Sequence, residues 1–369
     1  MIYRTLGRTG LKVSQLGFGA MRLPMVGEKE EARINRDLAI PMLHRAMQGG
    51  VNYIDTAVGY CNQDSQRVVG EALKGWDRSK IVVSTKNHYY GTDEKQWWTN
   101  LENSLARLDT PYIDIYNHHG ISWEKYTQFV EPAVSKWMLK AKQQKLIRHI
   151  CTSFHDKPEA LLRIIDTGYV DVITLQYNML DRSLEAGIAH AHEKNVGIVV
   201  MGPVGGGRLG AGSEVLSTLL PGVQRVPELA MRFVLANPNV SVALSGMSTM
   251  QQVEENLAVC ADPKALSQEE YKLIDEQLGR LKNMADLYCT ACGYCKPCPN
   301  NVDIPGVFGV YNMARVYGLW DLAKQRYAGL EKLSFAADAC VQCCECEPKC
   351  PQHLPIREQL EQSHAALRG

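Results

Sequence analysis

The sequence carries no excess of either charge. Its 40 Lys and Arg residues are matched by 40 Asp and Glu residues, which gives a formal net charge of zero at pH 7. Proteins that bind nucleic acid or anionic membrane surfaces usually concentrate basic residues. The balance excludes a broadly basic chain, so we expect neither nucleic acid nor a membrane as a partner.

The sequence also lacks a long apolar run. No stretch approaches the roughly 20 apolar residues of a membrane-spanning helix. The opening residues, MIYRTLGRTGLKV, contain no apolar segment of the kind that forms the core of a secretory signal peptide. These two absences predict a cytoplasmic protein.

Cysteine is scarce in the first 288 residues and abundant after them. Cys61, Cys151 and Cys260 precede that point, and nine of the 12 cysteines follow it. Disulfide frameworks are typical of small secreted chains, and this chain is neither small nor predicted to be secreted. The late thiols therefore indicate metal ligation in a reducing compartment.

Short β-rich segments alternate eight times with longer segments of helical period. The predicted strands are 14–20, 52–57, 80–86, 113–118, 148–154, 170–177, 197–203 and 240–246. Strict alternation predicts a parallel sheet, and eight repeats in about 250 residues fit a closed (β/α)8 TIM barrel better than an open sheet. No Gly-x-Gly-x-x-Gly motif follows the first strand, which weakens a two-domain Rossmann alternative.

Both ends of the predicted barrel have distinct features. The first 14 residues predict a β-hairpin that turns at Thr9-Gly10 and closes the bottom of the barrel. After the eighth unit, a helix begins at Ser267 with Glu270 at the capping-box position. We place an α/β barrel domain at 1–283 and a small, mainly α-helical domain at 284–369, with a helical stretch at 309–330.

Four ionisable residues fall at or just past successive predicted strand ends. They are Asp55, Tyr60, Lys86 and His119. The carboxyl ends of barrel strands carry the catalytic groups of enzymes with this fold. Position alone also fits a buried ion pair and a hydrogen-bonded tyrosine, and it leaves both interpretations open.

Five stretches, in order, resemble the aldo-keto reductase superfamily over residues 1 to about 282. They are LGRTGLKVSQLGFGAMRL, YIDTAVGY, STK, YIDIYNHH and SGMSTMQQVEENL. The whole chain is most similar to the bacterial branch with a carboxy-terminal iron–sulfur extension. The resemblance implies an enzyme that interconverts a small-molecule carbonyl and an alcohol with NAD(P)H.

The resemblance also implies a catalytic tetrad of Tyr60, Lys86, Asp55 and His119. Of two adjacent histidines, His119 stands five residues after Asp114, where the family motif has its histidine, and His118 is the weaker candidate. An ammonium about 4 Å away contributes on the order of 4 kcal/mol at an effective dielectric of about 20. That is roughly three pKa units, enough to bring a tyrosine from about 10 towards the working range of an acid–base catalyst.

The other tetrad members support this tyrosine. Asp55 would keep the Lys86 amine protonated and oriented towards Tyr60. His119 would donate a hydrogen bond to the substrate carbonyl oxygen and orient it.

The resemblance further implies where the nicotinamide ring binds. Ser153 matches the serine that holds the carboxamide. The glutamine of the family pattern is replaced by Thr174, and Gln176 lies two residues on, on the same strand face. Met201 takes the place of an aromatic residue that stacks on the ring, and a thioether can pack there.

The resemblance also implies that the remaining cofactor contacts come from a glycine-rich loop and the last barrel helix. The loop, GPVGGGRLGAG at 202–212, includes Gly202, Gly205 and Arg208 and suits close approach to a pyrophosphate, although such a run also fits a mobile loop. The adenosine end is assigned to Ser248, Gln252, Glu255 and Asn256. No Lys or Arg occurs between Arg232 and Lys264 to grip a 2′-phosphate, which favours NADH or dual use over NADPH alone.

Eight of the late cysteines form two runs, each followed by proline. The runs are Cys289, Cys292, Cys295 and Cys298, and Cys340, Cys343, Cys346 and Cys350. The second has the C-x-x-C-x-x-C-x-x-x-C-P spacing of bacterial ferredoxins, in which the fourth cysteine ligates the other cluster. The first is one residue shorter before its last cysteine.

This spacing predicts two [4Fe–4S] clusters in a ferredoxin-like domain. One is assigned to Cys289, Cys292, Cys295 and Cys350, and the other to Cys340, Cys343, Cys346 and Cys298. Structural zinc is the alternative, although zinc sites usually pair C-x-x-C units across longer gaps. Cys344 is not expected to be a ligand.

Two roles are open for the clusters, and two functions are open for the protein as a whole. The clusters could stabilise a domain with a small core, or exchange electrons with a ferredoxin-like partner. The rival to an enzyme is a cofactor-binding redox sensor or electron-transfer adaptor that does not turn over, and the intact tetrad argues against it.

Overall fold

The computed structural model describes residues 1–28, 31–205, 209, 213–220, 225–261, 266–286, 289, 293, 295–350 and 354–368. The chain divides into two compact units. Met1–Gly206 and Ala230–Ala265 form the first unit, and Gly207–Leu229 and Leu266–Gly369 form the second. None of the helices described is long and apolar enough to cross a membrane. The division into a barrel domain at 1–283 and an iron–sulfur domain at 284–369 stays a prediction.

The strands are β1 (Tyr3–Thr5), β2 (Lys12–Ser14), β3 (Leu16–Gly19), β4 (Met25–Val26), β5 (Arg33–Ile34), β6 (Tyr53–Asp55), β7 (Val82–Asn87), β8 (Ile113–Ile121), β9 (Ile147–Phe154), β10 (Val172–Gln176), β11 (Gly197–Met201) and β12 (Val242–Ser245). Eight of them close into a parallel barrel in the order β3-β6-β7-β8-β9-β10-β11-β12, and β12 pairs with β3. Each predicted strand has its counterpart here. The prediction of a (β/α)8 barrel is confirmed.

The α-helices are α1 (Arg36–Gln48), α2 (Ser65–Leu73), α3 (Glu94–Leu108), α4 (Trp123–Lys125), α5 (Ser135–Gln143), α6 (Pro158–Asp166), α7 (Glu185–Glu193), α8 (Glu214–Ser217), α9 (Val226–Ala236), α10 (Met250–Ala261), α11 (Gln268–Asp286), α12 (Ile304–Tyr317), α13 (Trp320–Lys332) and α14 (Ile356–Arg368). A π-helix spans Tyr126–Val134, and 3-10 helices span Gly7–Thr9, Arg78–Lys80 and Ala337–Ala339. The barrel strands thus alternate with helices, as the sequence pattern predicts.

Helix α6 shows how the sequence builds the outer layer. Pro158 occupies the first turn, where its missing N–H costs no hydrogen bond. Leu161, Ile164 and Ile165 recur at helical spacing and are buried. The helix therefore turns one apolar side to the interior.

The β1–β2 hairpin closes one end of the barrel. The strands pair antiparallel, and Gly10 takes the positive φ of +71° in the turn. Leu6 and Val13 are fully buried and join the core inside the barrel. At Gly7 a Cβ would lie 2.3 Å from the backbone nitrogen of Gly197, which begins β11. The hairpin therefore covers the amino-terminal ends of the strands, as predicted.

The second unit is mainly helical in its described part. Its core includes Val307, Phe308, Tyr327 and Leu360. The predicted stretch at 309–330 is two helices, because Gly318 takes a left-handed φ of +66° after α12 and donates its N–H to Ala314 O at 2.9 Å.

The start of α11 follows the predicted capping box. The Ser267 N–H donates to Glu270 Oε2 at 2.7 Å, and the Glu270 N–H donates to Ser267 Oγ at 3.1 Å. The two residues thereby satisfy backbone donors that the first turn leaves open.

Candidate active site

The strand ends bring the four predicted catalytic residues to one mouth of the barrel. Asp55 ends β6, Lys86 lies one residue before the end of β7, and Tyr60 lies in the loop before α2. Asp55 lies opposite Ser84 in the register of β6 and β7. Lys86 follows Ser84 by two residues, so its side chain points to the same face of β7 as that of Ser84 and lies nearer the mouth of the barrel. The closed sheet therefore converts distant sequence positions into one site.

Lys86 and Asp55 form a buried ion pair. The ammonium lies 2.5 Å from Asp55 Oδ1 and donates to Thr56 O at 2.9 Å, and 2% of the Lys86 side chain is exposed. Burial alone would lower the pKa of Lys86, but Asp55 and Tyr60 together outweigh burial, and the pKa is raised. Lys86 is therefore a fixed positive charge at neutral pH.

Tyr60 lies directly against this charge. Lys86 Nζ stands 4.7 Å from the centre of the Tyr60 ring. Burial raises the pKa of Tyr60 by more than Lys86 lowers it, so the net shift is upward. This differs from the expectation that the ammonium would bring the phenol towards neutrality, because desolvation opposes it and Asp55 shares the charge. Tyr60 is consequently a protonated phenol at neutral pH.

The structure brings His119, rather than His118, to Tyr60. The rings of His119 and Tyr60 meet edge to face, with centroids 6.1 Å apart. His118 points away, and its Nε2 lies 3.0 Å from the Tyr169 hydroxyl. Burial, followed by the charge of Lys86, lowers the pKa of His119 to about 4. His119 is therefore a neutral imidazole that can donate one N–H.

A chain of buried polar side chains continues from Asp55 across the barrel interior. Ser84 Oγ donates to Asp55 Oδ2 at 2.8 Å, and Asn117 Nδ2 donates to Ser84 Oγ at 3.0 Å. Thr174 Oγ1 donates to Asn117 Oδ1 at 3.4 Å, and Cys151 Sγ lies 3.5 Å from Thr174 Oγ1. Barrel interiors are usually filled with branched apolar side chains. These hydrogen bonds therefore connect the Asp55 carboxylate to four further strands, β7, β8, β9 and β10.

Sequence reasoning missed the roles of Ser84 and Asn117. The signal was present in KIVVSTK and IDIYNHH, where polar residues stand at interior positions of otherwise apolar strands. Thr174 was singled out only because a glutamine was expected at its position, and it also belongs to this series of hydrogen-bonded side chains.

The residues assigned to the nicotinamide lie at the ends of β9, β10 and β11. Ser153 is buried, and its Oγ accepts from the Gly120 N–H at 2.8 Å, which leaves its own proton to donate. Gln176 and Met201 are paired across β10–β11 and are half-buried. The Ser153 hydroxyl and the Gln176 amide can both hydrogen-bond a carboxamide, and the Met201 thioether can pack against its ring.

The loop assigned to the pyrophosphate is described in part. Gly202 and Gly205 take positive φ of +65° and +59°, and the Gly205 N–H donates to Gly202 O at 2.8 Å. A tight turn of this kind lets backbone approach a ligand closely. Arg208 lies outside the described residues.

The residues assigned to the adenosine end shape the start of α10. The Ser248 N–H donates to Gln252 Oε1 at 2.7 Å, and Ser248 Oγ donates to Arg22 O at 2.7 Å. Asn256 Nδ2 donates to Ser245 Oγ at 2.9 Å, and Gln251 donates to Glu255 at 2.9 Å. The Asn256 contact therefore ties α10 to the end of β12, and the Ser248 contact ties the segment before α10 to Arg22.

Residues 15–217 and 221–278 match the model of the Aldo/keto reductase family. The chain belongs to the aldo/keto reductase family. It is an NAD(P)-dependent aldo-keto reductase, and the family resemblance of the sequence is confirmed for the barrel.

Relatives of this aldo-keto reductase match about 69–76% of its length. It is 30% identical to L-galactose dehydrogenase of Arabidopsis thaliana, over 76% of this chain and 95% of that protein. It is 26% identical to NADH-specific methylglyoxal reductase of Escherichia coli, over 69% of this chain and 91% of that protein. The holo form of an aldo-keto reductase from Bacillus halodurans superposes with a TM-score of 0.63 at 28% identity, covering 75% of this chain and 96% of that one.

The late cysteines of this aldo-keto reductase lie beyond the family match. Cys295 and Cys346 are buried in the core of the second unit, and Cys289, Cys298, Cys340 and Cys350 pack against it. Cys343 and Cys344 are exposed. Cys292 lies outside the described residues.

One pocket in the second unit is lined by thiols. Cys298, Cys340, Cys343 and Cys346, the set predicted for one cluster, all line it. Cys344, with a left-handed φ of +66°, lines it as well, and so does Cys295, which is predicted for the other cluster. Across the part of the chain that the structure describes, no three His, Cys, Asp or Glu side chains are grouped to hold a single metal ion. The two iron–sulfur clusters stay a prediction.

Proposed function

We propose that this aldo-keto reductase reduces an aldehyde or ketone of a small molecule to the alcohol, with Tyr60 as the proton donor. The observation that carries the proposal is the buried Lys86–Asp55 ion pair against the ring of Tyr60. A carbonyl oxygen gains negative charge as its carbon accepts a hydride, and a fixed cation with a neighbouring acid stabilises that charge.

A dihydronicotinamide supplies the hydride when bound. Tyr60 holds the proton that the developing alkoxide takes. Lys86, fixed by Asp55, stabilises the phenolate that remains. His119 is neutral because its pKa is about 4, and it donates a ring N–H to the carbonyl oxygen and orients the substrate.

The raised pKa of Tyr60 supports the reductive direction. Burial outweighs the effect of Lys86, so the phenol keeps its proton at neutral pH. A protonated phenol serves as the acid of carbonyl reduction, whereas alcohol oxidation needs the phenolate as a base. We therefore propose reduction as the reaction at neutral pH and oxidation as an alkaline activity.

We infer NADH, or NADH and NADPH alike, as the cofactor. Ser153, Gln176 and Met201 would hold the nicotinamide. The absence of Lys and Arg between Arg232 and Lys264 in the sequence supports NADH, as does similarity to a relative named for NADH specificity. Relative kcat/KM values decide this, and a preference of more than about 100-fold for NADPH contradicts it.

The barrel is tested with an anaerobic panel of aldehydes and ketones and with two lysine variants. Lys86→Met removes the ammonium group of the site. Lys142→Met removes an ammonium group outside the tetrad, which lies 2.7 Å from the Asp171 carboxylate. We expect NADH-dependent reduction that falls at least about 100-fold in Lys86→Met and persists in Lys142→Met. NADH binding without reduction of any carbonyl contradicts the proposal and favours the adaptor.

We further propose that the second unit carries two [4Fe–4S] clusters. The pocket lined by Cys298, Cys340, Cys343 and Cys346 supports one of them. The other is assigned to Cys289, Cys292, Cys295 and Cys350. Such clusters would stabilise the small core or exchange electrons with a ferredoxin-like partner in the cytoplasm.

Adjacent cysteines provide a matched test of the clusters. Cys343→Ala removes a proposed ligand, and Cys344→Ala removes its exposed neighbour. We expect iron and acid-labile sulfide for two clusters in the wild type and in Cys344→Ala, and about half in Cys343→Ala. Zinc in place of iron, or equal loss in both variants, contradicts the assignment. Carbonyl reduction retained in folded protein with both Cys292→Ala and Cys343→Ala, which removes one proposed ligand of each cluster, would exclude the clusters as an obligatory electron relay.

A further inference from the structure

The thiol-lined pocket of the second unit also carries a positive charge. Among the described residues that line it, Arg357 is the one cationic side chain and Glu345 the one carboxylate. Arg357 belongs to the first turn of α14. A cation beside several thiolates lowers the energy of their combined negative charge.

Two hydrogen bonds hold Arg357 in place. Its backbone N–H donates to Glu347 Oε1 at 3.1 Å, and its Nη2 donates to Glu347 Oε2 at 3.1 Å. Glu347 directly follows Cys346, so the pair joins the start of α14 to the loop that bears this thiol. The guanidinium is thereby oriented by contacts outside the pocket.

One N–H of this guanidinium is left over. Arg357 Nε is buried, and among the residues described it has no hydrogen-bond partner. Native structures rarely bury a charged donor without an acceptor, and an absent ion or ligand is a usual explanation. The pKa of Arg357 is raised first by its hydrogen bond to Glu347 and then by Cys344, with a smaller contribution from Cys346. The charge is therefore within electrostatic range of the thiols.

We propose that Arg357 is a positioning residue for an iron–sulfur group held by Cys298, Cys340, Cys343 and Cys346, with its Nε–H donating to a sulfur in this pocket. The inference rests on the proposed function, because it requires sulfur ligation here. Hydrogen bonds to sulfur and nearby positive charge favour the reduced, more negative form of a cluster. Arg357 thus raises the reduction potential of one cluster and leaves the other unaffected.

The test measures the reduction potentials of both clusters by an EPR-monitored titration of the reconstituted full chain. Arg357→Gln removes the charge and the Nε–H, and Arg357→Lys keeps the charge alone. Arg368→Lys is the matched control, because Arg368 lies on the same helix and pairs with Glu331 at 3.5 Å instead. We expect Arg357→Gln to weaken reduction of one cluster about tenfold, a shift of about 59 mV to lower potential for one electron.

The two lysine variants serve as controls in the same titration. Arg357→Lys should shift the same potential by less, and Arg368→Lys should shift neither. Unchanged potentials in Arg357→Gln with full iron content overturn the inference and leave the clusters standing. A wild type without iron and sulfide overturns the proposed clusters themselves, and the inference with them.

If Arg357→Gln loses iron, Glu347→Gln provides a second test of the inference. This variant breaks the ion pair and keeps the guanidinium. Retained clusters without a lowered potential support the inference. Equal loss of iron in both variants overturns it, because Arg357 would then act only by anchoring the loop.

Discussion

The ammonium of Lys86 lies 4.7 Å from the centre of the Tyr60 ring, with 2% of the lysine side chain exposed. A charge this deeply buried is stable only when paired, and Asp55 provides the pair at 2.5 Å. The phenol therefore faces a cation that cannot move away or lose its proton at neutral pH. This relationship makes Tyr60 the group whose protonation the site controls.

The pH dependence of carbonyl reduction follows from two pKa shifts. Burial and then Lys86 hold the pKa of His119 at about 4, and burial keeps that of Tyr60 above its usual value. Both groups are then in their active forms, neutral imidazole and protonated phenol, across the neutral range. We expect kcat/KM for reduction to be level between about pH 6 and pH 8 and to fall at alkaline pH as Tyr60 loses its proton.

The reverse reaction provides the control for this profile. Alcohol oxidation should increase with pH over the range in which reduction declines, since it needs the phenolate. A loss of reductive kcat/KM on lowering the pH through about 6.5, the ordinary pKa of histidine, contradicts a neutral, buried His119.

The buried chain behind Asp55 is expected to matter for turnover more than for substrate binding. Ser84→Ala removes the hydroxyl that donates to Asp55 Oδ2 at 2.8 Å. Hydrogen bonds to charged groups contribute about 1.5–3 kcal/mol, so kcat should fall about tenfold or more with KM little changed. Steady-state kinetics measure both.

Ser14→Ala is the matched control for Ser84→Ala. Ser14 is also a fully buried serine, but its Oγ donates to Leu16 O at 2.6 Å, at the other end of the barrel. Equal losses of kcat in the two variants would contradict a role of Ser84 in turnover and would show that it acts only in the structure.

Much of the barrel was predictable because each strand leaves a local pattern. The segments NYIDTA and KIVVSTK are short, rich in β-formers and followed by segments of helical period, so they predict β6 and β7 together with the strand ends that carry Asp55 and Lys86. The capping box at Ser267 and Glu270 is likewise a contact between near neighbours. Local rules suffice where partners are close in sequence.

The rest depended on contacts that no local pattern shows. Ser84, Asn117 and Thr174 meet only because the sheet closes. The upward pKa shift of Tyr60 comes from burial of its own side chain, whereas sequence reasoning considered only the charge of Lys86. Gly318 was included in a helical stretch, and its left-handed φ of +66° ends α12.

Asp114 is expected to stabilise the fold rather than to act in catalysis. Its buried carboxylate forms an ion pair with Arg78 at 2.8 Å and accepts hydrogen bonds from Arg148 at 3.0 Å and from the Val83 N–H at 3.0 Å. Asp114→Ala leaves two guanidinium groups without this partner, and removing one member of a buried ion pair costs about 3–5 kcal/mol. Urea unfolding should show a loss of this size.

The exposed Asp77 provides the comparison for Asp114. Its carboxylate accepts from the Ser79 N–H at 3.1 Å at the start of a 3-10 helix. Asp77→Ala should leave the unfolding midpoint nearly unchanged. A loss from Asp114→Ala no greater than that from Asp77→Ala would contradict the role of Asp114.

The central claim, that Tyr60 donates the proton, is tested most directly by two phenylalanine variants. Tyr60→Phe removes the proposed donor, and Tyr53→Phe removes a buried hydroxyl that has no hydrogen-bond partner among the described residues. The measurement is carbonyl reduction at saturating NADH, with NADH affinity determined on the same samples. The account predicts a loss of about 100- to 10,000-fold in Tyr60→Phe with NADH affinity retained, and full activity in Tyr53→Phe. Carbonyl reduction by Tyr60→Phe at the wild-type rate would contradict it.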